Sequence, residues 1–286
     1  MELNEFNQFF MIFIMLKIDF AFLDSGTGGI PYMISLHEKL PDSTFLYLGD
    51  TAHFPYGEKS YEEVVSCAEE AIRKIIKLWN PRAIVIACNT ISVTALTALR
   101  KKFPDRPIIG TVPAIKLGAK VTKNKKIGLL ATNATVNHPY CKKLASDFAS
   151  DCEVFTLGAP ELVDFIEHRF FNATEKERQE AIKGAMDFFK EKGCDTIILG
   201  CTHFTHIADD FKKAAGNVIK IIDSREGVSN QAALKLMTEG KEFFHEQNHE
   251  QNEKNLSFFV TSATPEQARE YALMCDRLNI PWGGVI

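Results

Sequence analysis

The chain has no C-x-x-C pair, no G-x-x-x-x-G-K phosphate loop, no G-x-G-x-x-G fingerprint and no excess of charge of one sign. Each absence removes a class of function. Its seven cysteines, at positions 67, 88, 141, 152, 194, 201 and 275, form an odd, unpaired set. That excludes a zinc ribbon or a disulfide framework and suits a reducing, cytoplasmic compartment. Gly26, Gly28 and Gly29 lack the dinucleotide spacing, so a nucleotide cofactor has little support. With 33 basic and 37 acidic residues and a net charge of -4, nucleic acid has no electrostatic reason to bind. The apolar run Phe9–Leu16 is far too short to span a bilayer, and Glu2 and Glu5 stand where a secretory signal carries positive charge. Residues 1–17 read as an extension ahead of the first strand, with Met11 or Met15 as alternative starts.

What is present is a globular composition, 45% hydrophobic and 24% charged over 286 residues, enough for two ordinary domains. Apolar runs alternate with amphipathic stretches. Strands are expected at 18–23, 44–48, 83–86, 108–109, 126–130, 152–157, 196–199, 218–222 and 256–260. Helices are expected from Ile30 toward Leu40, over Tyr61–Trp79, after Cys88 to Lys102, after the segment Ala131–Thr135 through about Phe148, over 161–167 and 175–190, and from Asp223 and Thr264. A polar loop spans 245–255. This repetition predicts an α/β fold: two similarly organised domains with mostly parallel central sheets flanked by helices, and an active site in the cleft between them. The expected division is 18–111 plus 224–286 for one domain and 112–223 for the other. No low-complexity linker separates them, which predicts a fixed cleft with limited hinge motion.

Two segments repeat one device. Ala87-Cys88-Asn89-Thr90 follows Ala83-Ile84-Val85-Ile86, and Gly200-Cys201-Thr202-His203 follows Thr196-Ile197-Ile198-Leu199. Each places a thiol at the C-terminal end of a buried parallel strand, where α/β proteins bind ligands. The helix that follows favours its thiolate. A thiolate on one face of a carbon and a thiol on the other invert a stereocentre without metal or cofactor, exchanging roles when the reaction reverses. The other five cysteines read as small apolar side chains. Ser25 to Gly29 and Asn89-Thr90 lie at strand-to-helix turns, where free N–H groups suit a carboxylate. Asp24 could accept from a substrate ammonium or tune Cys88. His203 could orient a ligand or support Cys201.

Asp24-Ser25-Gly26-Thr27-Gly28-Gly29, Tyr47-Leu48-Gly49-Asp50 with Pro55-Tyr56-Gly57, Ala87-Cys88-Asn89-Thr90, Gly110 to Ile115 and Gly200 to His203 resemble, in order, the motif series of the glutamate racemase family. That resemblance implies a cofactor-independent isomerase that interconverts L- and D-glutamate and supplies D-glutamate for peptidoglycan. It implies a homodimer, with glutamate as the small-molecule partner and neither nucleic acid nor membrane. It makes Cys88 and Cys201 the acid/base thiols, working on the D- and L-glutamate protons respectively. Asp24 assists Cys88; His203 and Glu167 assist Cys201. Ser25, Tyr56, Gly57, Asn89, Thr90 and Thr202 match substrate-contact positions, with Thr132 and Thr135 behind them. Thr205-His206 departs from the family pattern, which has proline after the aromatic residue. Competing readings are an aspartate or hydantoin racemase on the same scaffold, a binding protein without turnover, and a thiol redox or metal module.

Overall fold

Buried strands that carry apolar residues on both faces must lie in a sheet covered on both sides, and helix crossovers make such a sheet parallel. In the computed structural model the chain does this twice. The structure describes residues 18–238 and 255–286; the N-terminal extension and positions 245–254 of the polar loop lie outside them.

The first sheet has the order β10-β9-β2-β1-β3-β4, all neighbours parallel, with β1 Phe20–Asp24, β2 Phe45–Gly49, β3 Ala83–Ile86, β4 Ile108–Gly110, β9 Leu256–Val260 and β10 Trp282–Val285. The period of two sorts its side chains. Phe20, Phe22 and Val85 join one core cluster with helices α1 (Ile30–Lys39) and α10 (Arg225–Thr238). Ala21, Leu23, Ile84 and Ile86 join the other, against α2 (Tyr61–Trp79) and α3 (Asn89–Lys102). A capping box of Ser60 and Glu63 opens α2, and left-handed Asn80 closes it.

The second sheet has the order β6-β5-β7-β8, again parallel, with β5 Lys126–Ala131, β6 Glu153–Gly158, β7 Thr196–Leu199 and β8 Lys220–Ile222. Around it lie α4 (Ile115–Val121), α5 (Asn133–Asn137), α6 (Pro139–Phe148), α7 (Pro160–His168), α8 (Glu175–Glu191) and α9 (Ala208–Ala215). Helix α11 (Pro265–Leu278) returns to the first sheet, where Tyr271, Met274 and Cys275 enter its core.

Three local readings change. The single helix expected after Ala131–Thr135 and through Phe148 begins within that segment, at Asn133, and is two, because Pro139 holds His138 extended (φ -69°, ψ 134°). After Cys201 comes a four-residue 3-10 turn, Thr202–Thr205, rather than a continuous helix. Helix α4 and strand β10 were not expected at all. Among the described residues, no helix is long and apolar enough to cross a membrane.

In each sheet the connections turn in opposite directions at one place: between β1 and β3 in the first, between β5 and β7 in the second. Crevices open at the carboxyl ends of the strands at such points. Asp24 ends β1, Cys88 follows β3, Thr132 follows β5 and Cys201 follows β7.

Candidate active site

The two crevices share one cavity of about 260 Å³. Cys88 and Cys201, from different sheets, both line it, together with Ser25, Tyr56, Gly57, Asn89, Thr90, Thr132, Thr202 and His203. Asp24, Glu167 and Thr135 stand one layer behind, buried. Pro55 of the Pro55-Tyr56-Gly57 motif lines it too, and so do Phe54, Glu58, Pro160, Val163, Asp164 and His168, which the sequence did not single out as site residues. The Phe54 ring packs 5.9 Å from that of His203 and 5.8 Å from that of His168; its place just before the Tyr56-Gly57 motif was the available signal.

Cys88 is the N-cap of α3, so Asn89 and Thr90 begin the helix inside the cavity. Asn89 is 2% exposed, and among the described residues neither its side-chain nitrogen nor its side-chain oxygen has a partner. A buried amide left without partners at a cavity wall is set for a ligand. Thr90 Oγ1 meets Thr132 Oγ1 at 3.0 Å, and Thr132 meets Thr135 at 3.0 Å, so one hydroxyl cluster bridges the two sheets. Among the described residues, no lysine or arginine lines the cavity. An anionic ligand there must be met by neutral donors, a helix start and His203.

Asp24 accepts from the Ser25 N–H at 2.6 Å and the Thr202 hydroxyl at 3.0 Å. Burial raises its carboxyl; His203, Ser25 and Thr202 oppose that. The turn after it is stapled by Tyr47, whose hydroxyl donates to the Gly26 carbonyl and accepts from the Gly29 N–H, both at 2.8 Å. Burial also raises the Cys88 thiol well above its ordinary value, and the Asp24 charge adds to the rise. Against the expectation from the helix start, burial and Asp24 prevail, and Cys88 is held protonated.

On the other side the electrostatics run the opposite way. His203 Nδ1 lies 3.8 Å from Cys201 Sγ, and its Nε2 lies 2.9 Å from Glu167 Oε2. Burial alone would lower the imidazole, yet hydrogen bonds to Cys201 and Glu167 hold it well above its ordinary value. Burial likewise would raise Glu167. The His203 contact and the Thr27 N–H and hydroxyl, at 2.8 and 2.7 Å, outweigh it and hold the carboxyl far below the usual range. Tyr271 adds a fourth donor at 3.0 Å. The result is a buried imidazolium–carboxylate pair next to one thiol.

Close approach of the first turn makes this possible. A Cβ on Gly28 would stand 2.4 Å from His203 Nδ1, and one on Gly26 2.5 Å from Glu167 Oε2. Asp50, accepting from Tyr56 at 2.6 Å and Thr261 at 2.8 Å, fixes the Tyr56 wall.

Comparison with known proteins follows the same lines. A family model, Asp/Glu/Hydantoin racemase, matches residues 33–228. The chain is 33% identical to the glutamate racemase of Treponema pallidum (strain Nichols) over 272 residues, 94% of this chain and 97% of that one. It is 39% identical to the glutamate racemase of Proteus mirabilis over 220 residues, 76% of each chain. Among solved structures it is similar to Escherichia coli glutamate racemase in complex with L-glutamate and the activator UDP-MurNAc-ala, with TM-score 0.78, 28% identity and coverage of 94% and 97%. It is also similar to glutamate racemase isoform RacE1 from Bacillus anthracis, with TM-score 0.73, 27% identity and the same coverage.

Proposed function

The chain belongs to the Asp/Glu/Hydantoin racemase family, and from that premise we propose that it interconverts L- and D-glutamate by proton transfer at Cα between two thiols, without a cofactor. One observation carries the reading: Cys88 and Cys201, on separate sheets, line a single cavity beside a buried amide without partners.

In the L to D direction, Cys201 as thiolate takes the α-proton, with the His203 imidazolium beside its sulfur and Glu167 fixing that ring. Negative charge then grows on the α-carboxylate. The Asn89 amide lines the cavity without a partner and α3 starts at that wall, so the amide and the helix start stabilise it without reorganising. Cys88, held protonated by burial and Asp24, delivers a proton to the other face. The thiols end with their states exchanged, and proton exchange with solvent restores them. Asp24 therefore acts through Cys88 rather than on a substrate ammonium. Ser25, Tyr56, Gly57, Thr90 and Thr202 form the walls that hold the substrate, with Thr132 and Thr135 bracing Thr90.

Each sheet draws all its strands from one of the two segments 18–111 with 224–286 and 112–223, which supports that division into domains. The product serves peptidoglycan synthesis in the cytoplasm, and the chain acts as a homodimer. Growth of a D-glutamate-requiring bacterial strain tests the first, and sedimentation equilibrium the second.

The enzymatic test is incubation of purified protein with L-glutamate, L-aspartate and a hydantoin, each followed by chiral chromatography. D-Glutamate forming fastest supports the reading. Racemisation of aspartate or the hydantoin alone selects the sister activity, and no turnover of any substrate selects a binding role.

A further inference from the structure

His206, half of the departure from the family pattern, occupies a place that none of the roles above uses. It follows the 3-10 turn after Cys201, and its ring is held by Phe170 and Phe171 at centroid distances of 5.9 and 5.3 Å. Burial lowers this imidazole to about 4 despite its contact with the Thr27 carbonyl. It is therefore neutral at physiological pH, with a single ring N–H. That N–H, on Nε2, donates to the Thr27 carbonyl at 3.0 Å, joining residues 179 apart in sequence.

Thr27 in turn directs its N–H and hydroxyl, at 2.8 and 2.7 Å, to Glu167 Oε2. The same oxygen is 2.9 Å from His203 Nε2, and His203 Nδ1 faces Cys201 Sγ at 3.8 Å. One line of contacts thus runs His206–Thr27–Glu167–His203–Cys201. It crosses the seam between the two sheets twice, because Thr27 follows β1 and the other four residues belong to the second sheet's segment.

We propose that His206 is a positioning residue for the Cys201 side of the site: by pinning the Thr27 carbonyl it fixes the two Thr27 donors under Glu167, and so fixes the carboxylate that orients His203. This rests on Cys201 being the thiol that exchanges the L-glutamate proton. Asp24 and Cys88 lie outside the line, so the effect falls on one of the two proton transfers. A general loosening of the cavity, by contrast, would slow both transfers alike, and a defect at Asp24 or Cys88 would fall on the other one.

The test compares His206→Phe, which keeps a ring in the Phe170–Phe171 nest and removes the donor, with His206→Gln, which keeps an N–H donor. The equilibrium constant of a racemisation is one, so kcat/KM must fall equally in both directions; a displaced Glu167–His203 pair should lower it roughly tenfold in His206→Phe. The discriminating readout is the primary isotope effect on kcat/KM with α-deuterated substrate. With slowed transfer at Cys201, the effect rises for α-deuterated L-glutamate and falls for α-deuterated D-glutamate. His206→Gln recovers most of the rate and the wild-type isotope effects. An isotope effect is a ratio and does not depend on the fraction of protein folded, so a loss of stability cannot imitate this result. Wild-type turnover with unchanged or equally changed isotope effects in His206→Phe overturns this inference alone. A wild-type protein that does not turn over glutamate overturns the two-thiol reading, and this inference with it.

Discussion

Glu167 is a carboxylate with almost no exposure that nonetheless stays ionised, because four donors converge on it. Asp24 is the contrary case: burial raises it above its ordinary value of 3.8. A group raised on folding contributes stability that is complete below the unfolded value and lost as pH climbs through the folded one. Charging Asp24 inside the fold therefore weighs against stability as pH climbs. Asp24→Asn should raise Tm at pH 7, by roughly 2–4 °C for each kcal/mol recovered in a chain of this size, while kcat falls because Cys88 loses its charged neighbour. Calorimetry and a racemisation assay check the pair of effects. The two thiols make the sharper residue-level prediction. Cys88→Ser and Cys201→Ser should each lower kcat by at least about 100-fold, with slow exchange of the α-proton retained from one enantiomer only, which NMR in D2O detects.

The elements explain why some of this was legible and some was not. Strands buried on both faces of a parallel sheet read as unbroken apolar runs, so β1, β3, β5 and β7 stood out, and with them the thiols and Asp24 at their ends. Strand β10 carries Gly283 and Gly284 in its four residues, which hid it. Helix α4 is seven residues long with Gly118 at its middle, too short for a periodic signal. Spacing along the chain carries no trace of contacts such as Thr27 to Glu167, 140 apart, or Tyr271 to Glu167, 104 apart. Glu167 itself came from resemblance, while its partners needed the fold. The turn after β1 makes a prediction of its own. In Gly28→Ala the new methyl would stand 2.4 Å from His203 Nδ1 and 2.7 Å from its backbone nitrogen. The turn must withdraw from the second sheet, so kcat/KM should drop at least roughly tenfold with far-UV circular dichroism unchanged.

At the scale of the whole molecule, two parallel sheets present their switch points to one another, and the seam between them is held by buried ionisable groups rather than by an apolar interface alone. Its stability therefore depends on pH at both ends. The Glu167 carboxyl is depressed on folding, so its contribution is complete above the unfolded value of 4.5 and lost as pH falls below it toward the folded one. The Cys88 thiol is raised, so its contribution is complete below the unfolded value of 9.0 and lost as pH rises beyond it. Urea midpoints should decline on both sides of this range. Glu167→Gln should flatten the acid limb and Cys88→Ser the alkaline one; limbs unmoved by these substitutions would place the titrating groups elsewhere.

Acid and base on opposite faces of one carbon leave an isotopic mark. With pure L-glutamate in D2O, followed over the first few per cent of conversion, the D-glutamate formed should carry one solvent deuterium at Cα while the remaining L-glutamate keeps its protium. D-Glutamate that retains protium at Cα, or substrate that gains deuterium as fast as product appears, would contradict transfer between two separate thiols.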